Sequence, residues 1–75
     1  MSRMPQVTGA ELIRFLLRRG FVIQRQTGSH VHLRDASRSV LVTVPMHQGR
    51  DLGRGLAQSI LKEAGFSVDD YLRLR

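Results

Sequence analysis

The sequence predicts a two-layer α+β domain, ordered α-β-β-β-α, with a short helix at its C-terminal end. Three observations predict it. Two runs with helical apolar spacing, 11–19 and 54–64, are each stopped by a glycine. Between them stand three short runs with the period of two expected of half-buried strands. The connections between those runs are too short for parallel crossovers, so the strands form an antiparallel meander. Helices then cover one face of a three-stranded sheet and leave the other face open.

Each element has a local cause. Residues 1–7 are expected to form a short tail that adds an edge contact. Thr8-Gly9-Ala10-Glu11 fits a capping box, in which the Thr8 side chain caps the Glu11 N–H and Glu11 reaches back. In the run from Glu11 to Arg19, Leu12, Ile13, Leu16 and Leu17 form one apolar face. Arg14, Arg18 and Arg19 are left for water or a partner, and the last two suit the negative end of the helix dipole. Gly20 is the expected stop.

Phe21 to Thr27 reads as the first strand, with Phe21, Ile23 and Arg25 on one side and Val22, Gln24 and Gln26 on the other. Gly28 breaks it, and Ser29 to Arg34 is the second strand. Asp35-Ala36-Ser37-Arg38 is a turn, and Ser39 to Val44 is the third strand, with Val40, Val42 and Val44 on one face. Pro45 ends it because proline cannot donate to the ladder. Met46 to Gly53 is a loop holding His47, Gln48, Gly49 and Arg50. The helix from Arg54 to Ala64 buries Ala57, Ile60, Leu61 and Ala64 and stops at Gly65. Ser67 caps a final short helix whose first turn carries Asp69 and Asp70.

At 75 residues the chain is read as one domain. It has no cysteine, which excludes a disulfide scaffold and the cysteine-rich zinc modules. Met1 to Gln6 lacks the apolar core of a signal peptide, and no run reaches the ~18 apolar residues of a membrane span. A cytoplasmic location is therefore expected. The net charge is +6, and eleven of the twelve cationic side chains are arginine. Arginine holds phosphate through a planar fork, so the bias points to nucleic acid, or to an acidic protein that mimics it. Only four residues are aromatic, too few for a platform that stacks many bases. Neither helix carries a run of exposed Arg, Gln or Asn suited to reading DNA.

The segment Thr27-Gly28-Ser29-His30-Val31-His32-Leu33-Arg34 concentrates the chemistry. If Val31 and Leu33 point to the helices, then His30, His32 and Arg34 share the open face. Three roles compete for the histidines. They are ordinary surface residues; or, with His47, they are three ligands for zinc; or they perform acid–base chemistry on a phosphodiester. The zinc role lacks a supporting carboxylate or cysteine, and Arg34 repels a cation, so no metal or other cofactor is expected. The acid–base role suits RNA, whose 2′-OH is a built-in nucleophile, so cleavage proceeds without metal. Gly28 lets the backbone approach a ligand closely, and Ser29 offers a hydroxyl and an N–H.

Taken together, Gly20-Phe21, Arg25-Gln26-Thr27-Gly28-Ser29-His30, Val44-Pro45-Met46-His47, Gly55 and Ser59-Ile60-Leu61-Lys62-Glu63-Ala64-Gly65 span nearly the whole chain. In this order they resemble the HicA family of small bacterial mRNA interferase toxins. The resemblance implies a double-stranded-RNA-binding-like α-β-β-β-α fold, mRNA as substrate, and toxicity until a HicB-type antitoxin binds. It implies that His30 is the catalytic histidine and that His47 belongs to the Val-Pro-x-His motif. Two departures stand out. Val31 occupies a place where members often carry a second histidine, and Gly53-Arg54-Gly55-Leu56 replaces a Lys-Pro-Gly-Thr loop, shifting a phosphate contact to Arg50 or Arg54.

The expected activity is thus metal-independent endoribonuclease cleavage of mRNA by His30, with His47 or His32 as a possible second proton carrier. Arg25, Gly28, Ser29, Arg34, Arg50 and Arg54 are the expected RNA contacts. The alternative is a non-catalytic module that binds double-stranded RNA by shape. A third class is a protein-interaction domain for an acidic partner, a role that an antitoxin would also fill.

Overall fold

The computed structural model describes residues 3–47 and 49–75. Met1 and Ser2 of the expected tail, and Gln48 of the expected loop, lie outside the described residues. The element order is α1 (Gly9–Arg18), β1 (Val22–Thr27), β2 (His30–Asp35), β3 (Val40–Pro45), α2 (Arg54–Ala64) and α3 (Val68–Leu74). The sheet is an antiparallel meander in the order β1-β2-β3. Helices α1 and α2 pack on β3, α1 also reaches β1, and α3 packs on α2. The α+β class and strand order match the sequence expectation.

Helix α1 starts where the capping box places it. The Glu11 N–H donates to Thr8 Oγ1 at 3.1 Å, and the Thr8 N–H donates to Glu11 Oε1 at 3.2 Å. The helix begins at Gly9 rather than Glu11, because Thr8 is already its N-cap. Leu12, Ile13, Phe15 and Leu16 are buried, whereas Leu17 is exposed. Phe15 faces Phe66 and Tyr71 edge-on, with ring centroids 5.2 and 4.8 Å apart, an arrangement that suits the aromatic quadrupoles. This contact joins α1 to the C-terminal segment. The segment expected as a tail contributes to the core: Met4 and Val7 are buried, and the Val7 carbonyl accepts from the Leu52 N–H at 2.8 Å.

In β2, Val31 and Leu33 are buried; in β3, Val42 and Val44 are buried. The first strand departs from simple alternation. Phe21 is buried but precedes β1, and the β1–β2 register slips between Ile23 and Arg25. Gln24 is thus the extra residue of a bulge, which moves every later side chain of β1 to the opposite face. Arg25 therefore shares a face with Val22 rather than with Ile23. Ser39, expected to open the third strand, instead has φ of 56° and completes the turn.

That turn is built around Asp35 and Arg38. Asp35 Oδ1 accepts from the Ser37 hydroxyl at 2.7 Å and the Ser37 N–H at 3.1 Å. Arg38 Nε donates to Asp35 Oδ2 at 2.8 Å, and Arg38 Nη2 donates to the Ala64 carbonyl at 3.1 Å. The guanidinium also lies 5.8 Å from the Phe21 ring centroid and 5.9 Å from that of Phe66. One arginine thus ties the β2–β3 turn to the C-terminal end of α2.

Two predictions follow from these contacts. A Cβ on Gly9 would collide with the Pro45 carbonyl oxygen. Alanine normally stabilises a helix relative to glycine by about 1 kcal/mol. Here Gly9→Ala is expected to lower the melting temperature, since overpacking costs about 1–3 kcal/mol. The second concerns pH. Ser37 hydrogen bonding, and then Arg38, hold the Asp35 carboxyl below its ordinary pKa. A lowered folded pKa means that its contribution is fully present above the ordinary carboxylate value, about 3.9. The contribution is lost as pH falls through the lower folded value. Thermal melts from pH 6 to pH 2 are expected to show this loss, and Asp35→Asn to remove its share of the pH dependence.

Candidate functional site

The burial of Val31 and Leu33 turns the other side chains of β2 outward. Register then assigns their neighbours, because directly opposed residues share a face. His30 lies between Thr27 and Pro45. His32 lies between Arg25 and Thr43. Arg34 lies between Val22 and Leu41. The open face is thus three rows deep, with a histidine in each of the first two and an arginine in the third. His30, Arg25 and Arg34 are exposed and His32 is half-buried. Among the described residues neither Arg25 nor Arg34 pairs with a carboxylate, so both guanidiniums are available to an anion.

The first row is fixed by a turn and a loop. Gly28 has φ of 59°, which a glycine adopts without steric cost. Its carbonyl accepts from Gln26 Nε2 at 3.0 Å. The Ser29 carbonyl accepts from the Met46 N–H at 2.6 Å, so pairing between β2 and β3 continues one step beyond the strands. This bond joins the Gly28-Ser29-His30 segment to the Val44-Pro45-Met46-His47 segment. Two motifs separated in sequence meet at one end of the open face.

The remaining expected residues are less concentrated. His47 is exposed and lines a cleft with Thr8, Ala10, Met46 and Gly49 at the start of α1. Its carbonyl accepts from the Arg50 N–H at 3.1 Å. Arg50 is exposed on the same loop, and Arg54 is the exposed first residue of α2. These two follow the His30 end of the sheet along the chain but do not belong to its rows. A second cleft, bounded by Gln58, Lys62 and residues 65–68, sits at the α2–α3 junction and contains no histidine. Among the described residues no three His, Asp or Glu side chains are grouped as metal ligands, so His30, His32 and His47 do not form the three-histidine set considered from sequence.

One participant, Thr43, carries no sequence signal of its own. Thr43 Oγ1 lies 2.9 Å from His32 Nδ1. Pro45, expected as a strand stop and as part of the Val-Pro-x-His motif, is the last residue of β3 and stands opposite His30. Each depends on the β2–β3 register, which no local motif encodes.

The site can offer two imidazoles and two guanidiniums to one anionic chain. A family model described as the HicA toxin of bacterial toxin-antitoxin systems matches residues 9–66. No curated protein and no solved structure matches the chain.

One prediction concerns the turn. No atom lies within 4 Å of a Cβ built on Gly28, so only the left-handed backbone opposes a side chain there. Asparagine tolerates this region and β-branched residues do not. Gly28→Asn is therefore expected to retain more stability than Gly28→Val, by about 1 kcal/mol or more, in parallel denaturant titrations.

Proposed function

Because the chain belongs to the HicA toxin family of bacterial toxin–antitoxin systems, we propose that it is a metal-independent endoribonuclease that cleaves mRNA and so inhibits translation. The observation that carries this is the meeting of Gly28-Ser29-His30 with Pro45-Met46-His47 through the Ser29–Met46 backbone bond, on a face that also presents Arg25 and Arg34. In this reading His30 performs one of the two proton transfers. The 2′-oxygen attacks phosphorus, the P–O5′ bond breaks, and the products are a 2′,3′-cyclic phosphate and a 5′-hydroxyl. Arg25 and Arg34 hold non-bridging phosphate oxygens and offset the charge that grows in the transition state. Arg50 and Arg54 extend phosphate contact beyond the first row. Gly28 and Ser29 let the RNA backbone come close to His30.

The partner in this proposal is a HicB-type antitoxin that carries acidic groups to the same face. Covering Arg25, His30 and Arg34 blocks RNA with no need for a conformational change. Among the described residues no helix is long and apolar enough to cross a membrane. Action in the cytoplasm, where mRNA is translated, is part of the proposal.

The deciding measurement is cleavage of a 5′-labelled mRNA in EDTA. The wild-type chain is expected to cut, and His30→Ala to cut about 10²–10⁴-fold more slowly. If both proteins bind RNA equally and neither cuts, the chain is a binding module and the nuclease proposal is wrong. Arg25→Gln is expected to weaken RNA binding across sequences. It should also shallow the log K against log salt slope by about 0.7, the value for one lost phosphate contact on a single strand.

A further inference from the structure

A cleavage of this kind needs two proton transfers, and one imidazole supplies one of them at a time. We infer that His32 is the second proton carrier and that Thr43 is the positioning residue that orients it. The inference rests on the ribonuclease reading above.

Four observations carry it. His30 and His32 are separated by one residue on the same strand and face the same side. Their Cα atoms therefore stand about 6.6 Å apart, at a rise of about 3.3 Å per residue. Two imidazole nitrogens, each within about 2.6–3.2 Å of its oxygen, fit on either side of one phosphodiester at that spacing. Arg25 stands opposite His32 across the β1–β2 pairing, where a guanidinium can take a non-bridging oxygen of the same phosphate. The bulge at Gln24 is what brings Arg25 to this face.

The third observation is the 2.9 Å contact between His32 Nδ1 and Thr43 Oγ1. It occupies one ring nitrogen and leaves Nε2 without a partner among the described residues. In the tautomer in which Nδ1–H donates to Thr43 Oγ1, which the proposal requires, the neutral ring has a bare Nε2 and accepts a proton there. The imidazolium releases a proton from the same atom. In that tautomer the Nδ1 hydrogen bond persists in both states, so the ring changes charge without losing its orientation.

The fourth observation is the position of His47. It lines a cleft with Thr8 and Ala10, at the start of α1. Among the described residues no register pair or side-chain hydrogen bond ties it to the row of His30.

The reaction balances with the pair alone. The neutral imidazole takes the 2′-OH proton as the O2′–P bond forms. The imidazolium gives its proton to O5′ as the P–O5′ bond breaks. The two rings finish with their protonation states exchanged, and water resets them.

The test is the pH dependence of kcat between pH 5 and 9 for wild type, His32→Ala, His47→Ala, Thr43→Val and Thr43→Ser on a 5′-labelled RNA. The wild type is expected to give a bell. His32→Ala should lose one limb and drop kcat about 10²–10⁴-fold. Thr43→Val, nearly isosteric but without the hydroxyl, should lower kcat with little change in KM, and Thr43→Ser should restore it. Imidazole ¹⁵N spectra should show a single neutral His32 tautomer in the wild type and a mixture in Thr43→Val, which separates ring orientation from loss of fold. If the wild type cuts and His32→Ala keeps both limbs, or His47→Ala loses the limb instead, the assignment to His32 is overturned. If the wild type does not cut, the ribonuclease reading itself fails.

Discussion

The burial of Val31 and Leu33 on the helix side of β2 governs the rest of the molecule. Each side chain removed from water contributes about 1.5–3 kcal/mol. A slip of one residue in β2 would place His30, His32 and Arg34 in the core and these two side chains in water. No such arrangement competes, so the outward direction of the histidines is set by the packing of their neighbours. The inner residues of β3, Val42 and Val44, impose the same order on the adjacent strand and turn Thr43 outward beside His32.

The excess of arginine divides into different tasks once the contacts are known. Arg38 and Arg73 pair with Asp35 and Asp70. Both of those carboxyls are held below their ordinary pKa, Asp70 chiefly by the hydrogen bonds of the Ser67 cap. Arg38 goes further and covers the end of α2, where Gly65 leaves room: a Cβ there would approach Arg38 Nη1 to 2.6 Å. Half-exposed ion pairs contribute modestly by themselves. The value of Arg38 lies in linking a turn, a helix end and two aromatic rings at once. Among the described residues Arg25 and Arg34 have no such commitments, and both are exposed.

Much of the fold was legible in the sequence because its signals are local. The Thr8 capping box, the Gly20 and Gly65 stops, the Ser67 cap and the apolar stripe of α2 are each written within a few residues. The outward face of β2 was legible for the same reason, since alternation needs only Val31 and Leu33 as markers. What was not legible depends on pairing across strands. The bulge at Gln24 reverses the expected side of Arg25, and nothing in Ile23-Gln24-Arg25 announces it. Thr43 gains its place from the β2–β3 register, and Arg38 from the approach of α2. Ser39 took a left-handed backbone where alternation suggested a strand.

The sheet order is the chain order, and its two connections are short. Every side chain in the three rows of the open face therefore comes from one continuous stretch, residues 22–45. Short loops carry a small closure entropy, and contacts between near neighbours in sequence form early. The face can thus take shape as two successive hairpins, and α2 has only to dock behind it. Chain order thus separates two tasks: residues 22–45 display the open face, and the helices on either side of them in sequence supply the core that holds it outward.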